Sequence, residues 1–391
     1  MGTITRSFAN QITSTGVNAI ADGTIVNADI NATSAITLNK LSGNPSFRNI
    51  VINGDMQIAQ RSTSVASITT SGYYTLDRWQ TVISSLGTWT QSQSTDVPSG
   101  YGFSKSLKMD CTTADASPSA SDELYVRTKF EGQNLQYLKK GTANAVSLTA
   151  SFWVKSTKTG TFIVELFDND NSDFVSKSYT INASNTWEFK TVTFPADTTS
   201  AFDNDNAVSL GIHFYLGAGT DITSGILNST WTDSAIQTGR AVGQVNCADS
   251  TSNDWLITGV QLEAGTSATD FEFLPIDVSL GRCLRYFELA GFGATAIANS
   301  TTNYQSLVQY KVTKRALPTA SLTVTSNIRY RQYGVADRDA ATASIGSANY
   351  SKEGANLRID GFSSLTAGQV AAVNYTTTDD TGSLFAFSSE L

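Results

Sequence analysis

Few residues in this 391-residue chain are of types that could do chemistry. It has one histidine, His213, on an alternating apolar stretch with no serine or cysteine motif beside it. A Ser-His-Asp or Cys-His site has nothing to assemble around, so His213 reads as a surface or sheet histidine. Glycoside hydrolysis asks only for two facing carboxylates. Asp and Glu number 34, but none sits in a recognisable motif. The chain is therefore expected not to be an enzyme, with a glycan-degrading activity as the competing reading. The acidic run Asp168-Asn169-Asp170-Asn171-Ser172-Asp173 could hold calcium through Asp168, Asp170 and Asp173, because that ion takes carboxylate and carbonyl oxygens. The glycine of a calcium-hand loop is missing, however, and Tyr179 stands where its bidentate glutamate belongs. The run reads as turns, and no metal or cofactor is expected.

Recognition chemistry is better represented. Trp153, His213 and Tyr215 are out of phase with the apolar residues of their own stretches, which places them on a sheet's outer face. Tyr125 and Arg127 follow if Leu124 and Val126 face the core. Rings on such a face can stack on sugars, which makes Trp153 and Tyr215 candidate ligand-binding residues; burial of the face against a sister subunit or the C-terminal domain is the competing reading and the slightly favoured one. A second cluster is Arg329-Tyr330-Arg331-Gln332-Tyr333. Alternation sends Arg329, Arg331 and Tyr333 one way, a basic–aromatic stripe suited to an anionic surface glycan. Its alternative is a solvated edge strand guarded by charge.

The elements that must carry these residues are strands. Leu107, Met109 and Cys111 alternate with polar neighbours. So do Leu148, Ala150, Phe152 and Val154, then Phe162, Val164 and Leu166, and again Val208, Leu210, Ile212, Phe214 and Leu216. Turn-rich stretches separate them, the pattern of an antiparallel sandwich. Trp187, Phe189 and Trp255 read as core pieces, and Leu256, Val260 and Leu262 as one face of a closing strand. After Pro275 the period changes: Val278, Leu280, Leu284 and Phe287 share one side of a short helix, with Asp277 or Ser279 placed to cap it.

The segment Asn253–Glu288, with Asn49-Ile50-Val51-Ile52-Asn53-Gly54-Asp55-Met56-Gln57-Ile58-Ala59-Gln60-Arg61 and Tyr74-Thr75-Leu76-Asp77-Arg78-Trp79, resembles the carbohydrate-binding-module-like β-sandwich of tail-fibre and other appendage proteins of tailed bacteriophages. The resemblance spans residues 46–287. It implies a virion structural protein, most simply a tail fibre attached by its N-terminus and touching a host glycan or protein receptor. A head fibre, decoration protein or adaptor is the alternative within the same family.

Residues 1–45 carry isoleucines Ile20, Ile25, Ile30 and Ile36 between turn residues, without enough apolar bulk for a core of their own. They are expected to form an extended stem that joins copies into a homotrimer and docks on another virion protein, a disordered leader being the competing reading that regularly placed isoleucines disfavour. The expected order is stem 1–45, jelly-roll sandwich 46–275, connecting helix 276–290, and a smaller distal β-domain 291–391, mainly β throughout. Host contact at the free end would favour the Arg329 stripe over Trp153.

Composition narrows the partners. Net charge is −8, which disfavours nucleic acid. No apolar run is long enough for membrane insertion. Met1 to Arg6 resembles neither a signal peptide nor a myristoylation site, so synthesis in a host cytoplasm and residence in the virion are expected. Cys111, Cys247 and Cys283 show no paired spacing and read as buried thiols.

Overall fold

The computed structural model describes residues 47–290, 294–323, 328–331, 337–340, 342–375 and 384–391. The stem residues Ile20, Ile25, Ile30 and Ile36, and Tyr333 of the basic stripe, lie outside the described residues. Phe47–Leu391 is one compact unit.

Its first part is mainly β. Twelve strands run β1 Ser64–Ile68, β2 Gln80–Ser84, β3 Thr88–Ser94, β4 Ser106–Thr113, β5 Glu123–Glu131, β6 Leu148–Ser156, β7 Gly160–Asp168, β8 Asp173–Ile181, β9 Glu188–Phe194, β10 Val208–Ala218, β11 Thr232–Asp233 and β12 Asp254–Ala264. They form two six-stranded sheets, ordered β1-β3-β4-β12-β6-β9 and β11-β8-β7-β10-β5-β2. Every pairing is antiparallel. The inward residues of each strand meet in one core, where Phe214 packs against Trp79, Phe152 and Trp255. Cys111 and Cys247 belong to that core as free thiols, and Cys283 is buried beside Ile52, Ile58 and Tyr286.

Strand β12 departs from simple alternation. Its pairing with β6 slips between Thr258 and Gln261, and Gly259 there has φ 62°. Trp255 and Ile257 face the core before this bulge, and Val260 and Leu262 after it. Leu256, which alternation groups with Val260 and Leu262, therefore turns to the other face. The expected core role of Trp187 and Phe189 is also corrected: Phe189 is exposed, and the Trp187 indole N–H reaches Asp96 Oδ1 at 2.9 Å outside the sandwich.

A short helix α1, Thr220–Thr223, lies after β10, and α2, Ile276–Leu284, follows β12. Helix α2 ends earlier than expected, because the chain is a strand again at β13, Phe287–Ala290. Pro275 stands at its N-cap, and neither Asp277 nor Ser279 caps it. Ser279, Cys283 and Leu284 are its buried residues, while Leu280 is exposed. The helix has rolled so that Cys283, with Tyr286 just beyond it, packs on Ile52 and Ile58.

The rest of the chain adds β14 Ala294–Ala298, β15 Asn303–Gln309, β16 Thr319–Leu322, β17 Ile328–Arg331, β18 Arg338–Ala340, β19 Ser344–Tyr350, β20 Gly354–Asp360, β21 Val370–Tyr375 and β22 Phe385–Ser388. Among the described residues these make a three-stranded sheet β13-β22-β16 and a seven-stranded sheet β18-β17-β21-β14-β15-β20-β19 around a second core.

Polar residues of the opening segments join the two parts. Gln60 binds Asp77 and donates to the Phe287 carbonyl at 3.0 Å. Arg61 and Arg78 both reach the Glu390 carboxylate, Arg61 at 3.1 Å. The same two guanidiniums lie 3.6 Å from the ring centroids of Phe287 and Tyr286. Lys314 and Glu288 form a wholly buried pair at 2.5 Å. Arg315 donates to the main-chain oxygens of Ser389, Glu390 and Asn206. Much of the chemistry in the Gln60–Arg61 and Asp77–Arg78 segments is thus structural.

Candidate functional site

On β6, Phe152 and Val154 point into the core, leaving Trp153 and Lys155 on the outer face. Strand β9 pairs with β6 so that Phe189 lies directly opposite Trp153, which puts both rings on one face. Tyr101 reaches the same place from the β3–β4 connection. Glycines at φ 87° and 83°, Gly100 and Gly102, flank it and turn the loop so that its ring stands over the sheet. Successive ring centroids are 4.2 Å apart for Tyr101–Trp153 and 5.4 Å for Trp153–Phe189.

A second group of rings faces this row. Phe103 lies 5.2 Å from Phe271 and 5.1 Å from Phe273. The bulge makes room for it: a β-carbon on Gly259 would come within 2.5 Å of the Phe103 ring. Between the two groups is an open groove of about 490 Å³. Tyr101, Phe189 and Phe273 remain 56%, 48% and 49% exposed, unusual for rings in contact with one another.

Charge at the groove is largely self-cancelling. Asp270 is the charged residue of its lining. Nearby, Lys155 binds Asp96 at 2.6 Å and Lys190 binds Glu188 at 2.6 Å. Burial pushes both carboxyls up, but their hydrogen bonds, those from the lysines first among them, together outweigh it and hold both acids below the usual carboxylate range, Glu188 at about 2.

The other sheet's outer face is closed. Tyr215, a sequence candidate for ligand contact, does lie on that face but is fully buried, so it meets no external ligand. The chain's own segment 219–246, carrying α1 and β11, covers it, with Ile222 and Ala241 packed onto Tyr125, Ile163 and Tyr215. Beneath this cover Glu165 accepts from Arg240 Nε at 2.9 Å and Nη2 at 2.6 Å. His213 Nδ1 lies 3.0 Å from the same carboxylate. Burial pushes the His213 pKa down to about 4 despite that carboxylate, so the imidazole is neutral at pH 7 and donates a hydrogen bond to Glu165. Arg240, with help from His213, outweighs the opposing effect of burial and holds Glu165 at about 2.

The remaining sequence candidates lie elsewhere. Arg329, on β17 beside edge strand β18, binds Asp339 through two hydrogen bonds of 2.7 and 2.9 Å, and Asp337 is 3.4 Å away. Arg331 also reaches Asp337 at 3.4 Å. Acids therefore accompany both cations, and Tyr330 between them is buried. The acidic run is closed as well. Asp168 is wholly buried and takes Lys140 together with main-chain N–H groups of Asp170 and Asn171. Asp170 accepts from Asp203 N, and Asp173 from the Ser200 hydroxyl. Among the described residues no His, Cys, Asp or Glu cluster is arranged to hold a metal ion, and no helix is long and apolar enough to cross a membrane.

Sequence phase alone placed Trp153. It missed Tyr101, Phe103, Phe271 and Phe273, which stand on loops where no period operates. Phe189 had a signal only through its register with Trp153.

No protein-family model matches this chain, and no curated protein matches it. Among solved structures it is similar to the enzymatically active domain of bacteriophage CBA120 tailspike protein 4. That likeness has 16% identity over 56% of this chain and 21% of that one, with a TM-score of 0.30, so the chain spans about a fifth of that protein's length. It is also similar to a CBM4 carbohydrate-binding module, at 11% identity over 54% of this chain and 97% of that one, TM-score 0.27. A third is the family 11 carbohydrate-binding module of a Clostridium thermocellum cellulase, at 13% identity over 52% and 99%, TM-score 0.23. The sandwich is defined by its own strand order rather than by these partial likenesses.

Proposed function

We propose that this chain is an appendage protein of a tailed-bacteriophage virion whose β-sandwich binds a host-surface glycan along the Tyr101–Trp153–Phe189 row. The observation that carries the reading is that row of solvent-open rings on a rigid sheet, while the equivalent face of the other sheet is sealed. Pyranose rings present apolar C–H faces, and stacking them on Trp, Tyr or Phe buries that surface. Paired charges around the groove suit a hydroxyl-rich, uncharged stretch of glycan better than a highly charged one. With Asp270 as the lining carboxylate, the site supports binding rather than two-carboxylate hydrolysis.

The phage setting rests on the sequence resemblance of residues 46–287. In this reading residues 1–45 anchor a homotrimer to the tail and the remainder points outward, the protein being made in the host cytoplasm. Several copies would let weak contacts add up, so an open groove suffices. The test is adsorption. Particles carrying Trp153→Ala should assemble normally and adsorb poorly to host cells. Normal adsorption by that variant would remove the groove from receptor binding; normal adsorption by particles lacking the protein would leave a structural head-fibre, decoration or adaptor role.

A further inference from the structure

A second cavity, of about 400 Å³, lies where α2 meets the sandwich. Three cations and one acid line it: Lys129, Arg282, Arg285 and Glu131. The acid is already committed, since Glu131 takes both Arg285 nitrogens at 2.8 and 2.7 Å and the Tyr286 hydroxyl at 2.5 Å. Lys129 is half-buried and donates to a main-chain oxygen of Leu391 at 2.9 Å. Burial and the cations Arg127, Arg78 and Arg315 push its pKa down to about 8. Arg282 is also half-buried, and among the described residues it makes no hydrogen bond or ion pair. The nearby acid Glu272 already accepts from the Phe47 and Asn49 N–H groups. Glu272 and Glu390 act on Arg282 and Lys129 only from a distance, so among the described residues neither cation has a direct ion-pair partner in this partly desolvated place, and an anion that arrives there gains from both.

The rim adds a shape requirement. Phe47 and Tyr137 line the cavity and are 60% and 48% exposed. A bare inorganic anion makes no use of two ring faces, whereas a sugar ring does. We propose that this cavity binds one acidic sugar unit, its carboxylate held by Arg282 and Lys129 and its ring lying against Tyr137 and Phe47. The guanidinium offers two parallel N–H donors to a carboxylate. The volume falls within the roughly 300–1,000 Å³ of small-molecule sites. This site is separate from the groove and does not depend on it.

The experiment is an NMR titration of the full-length protein with sodium glucuronate, N-acetylneuraminic acid, glucose and inorganic phosphate. At least one acidic sugar should bind and shift resonances of α2, glucose should not, and phosphate should bind more weakly. Arg282→Gln should weaken the acidic sugar about tenfold or more, as expected for a lost charged hydrogen bond. Tyr137→Ala, at an exposed position, should weaken it severalfold and serves if Arg282→Gln unfolds. Trp153→Ala should leave it unchanged, so this site and the groove succeed or fail separately. No binding by either acidic sugar, equal binding of glucose, equal binding of phosphate, or indifference to both variants would overturn the proposal.

Discussion

Removing Arg240 tests whether the outer face of the second sheet is clamped shut. In Arg240→Ala the wholly buried Glu165 loses two hydrogen bonds, of 2.9 and 2.6 Å, and its full counter-charge. His213 at 3.0 Å and the Tyr215 hydroxyl at 3.4 Å remain. Arg240 also lies 5.2 and 5.6 Å from the ring centroids of Phe167 and Phe174, contacts that go with it. Breaking one partner from a buried pair costs about 3–5 kcal/mol. For a unit of this size that is a melting-temperature drop of roughly 4–7 °C. His213 is the chain's one histidine, so its imidazole resonance reports the cluster directly. In the variant Glu165 lacks Arg240, and the His213 pKa should rise from about 4 as the imidazole becomes the remaining cation partner. Limited proteolysis should then cut within residues 219–246. The double variant Glu165→Gln/Arg240→Met should recover much of the loss, because no buried charge is left unpaired. A melting shift under about 2 °C, with an unmoved His213 resonance, would refute the clamp.

The same cluster gives a pH dependence. His213 has a folded pKa depressed to about 4 from 6.5, so the unfolded chain binds more protons in that window and stability should fall as pH drops from 6.5 towards 4. Glu165, depressed to about 2 from 4.5, adds stability that is present above 4.5 and lost as pH falls towards 2; melting curves flat from about pH 6.5 to 4 would contradict the His213 effect, and curves flat from about pH 4.5 to 2 the Glu165 effect. Gly259→Ala should destabilise by more than about 1 kcal/mol and weaken groove binding, since φ is 62° and the new methyl meets Phe103, and calorimetry with a binding assay reads both effects. Full-length protein should scatter light as a trimer while protein lacking residues 1–45 folds but fails to enter virions; a stable full-length monomer at micromolar concentration would sink the stem reading.

The strands were legible in the sequence because each buried one apolar face. Leu107, Phe152, Val164 and Phe214 alternate with neighbours of the opposite phase, and the structure buries all four. Reading failed where local order breaks. The Gly259 bulge reverses the face of Leu256, and no two-residue period contains a bulge. Helix α2 presents Cys283 rather than Leu280 to its neighbours, because Ile52 and Ile58, more than two hundred residues earlier, set its roll. Tyr215 had the phase of an outer-face residue, but its cover comes from a loop insertion whose packing no period records. Arg329 and Arg331 read as a basic stripe until the β17–β18 pairing brings Asp337 and Asp339 beside them. The groove was half legible: Trp153 from phase, its loop-borne companions only from the fold.

The most direct test of the account is glycan binding by the purified full-length protein, wild type beside Trp153→Ala, on an array of host-surface polysaccharides. The wild type should bind at least one glycan. Trp153→Ala should keep its melting temperature and lose about 2 kcal/mol of affinity, roughly thirtyfold, as for truncation of a central aromatic anchor. Wild-type binding that survives Trp153→Ala at full strength would contradict the account, placing the glycan site away from the Tyr101–Trp153–Phe189 row.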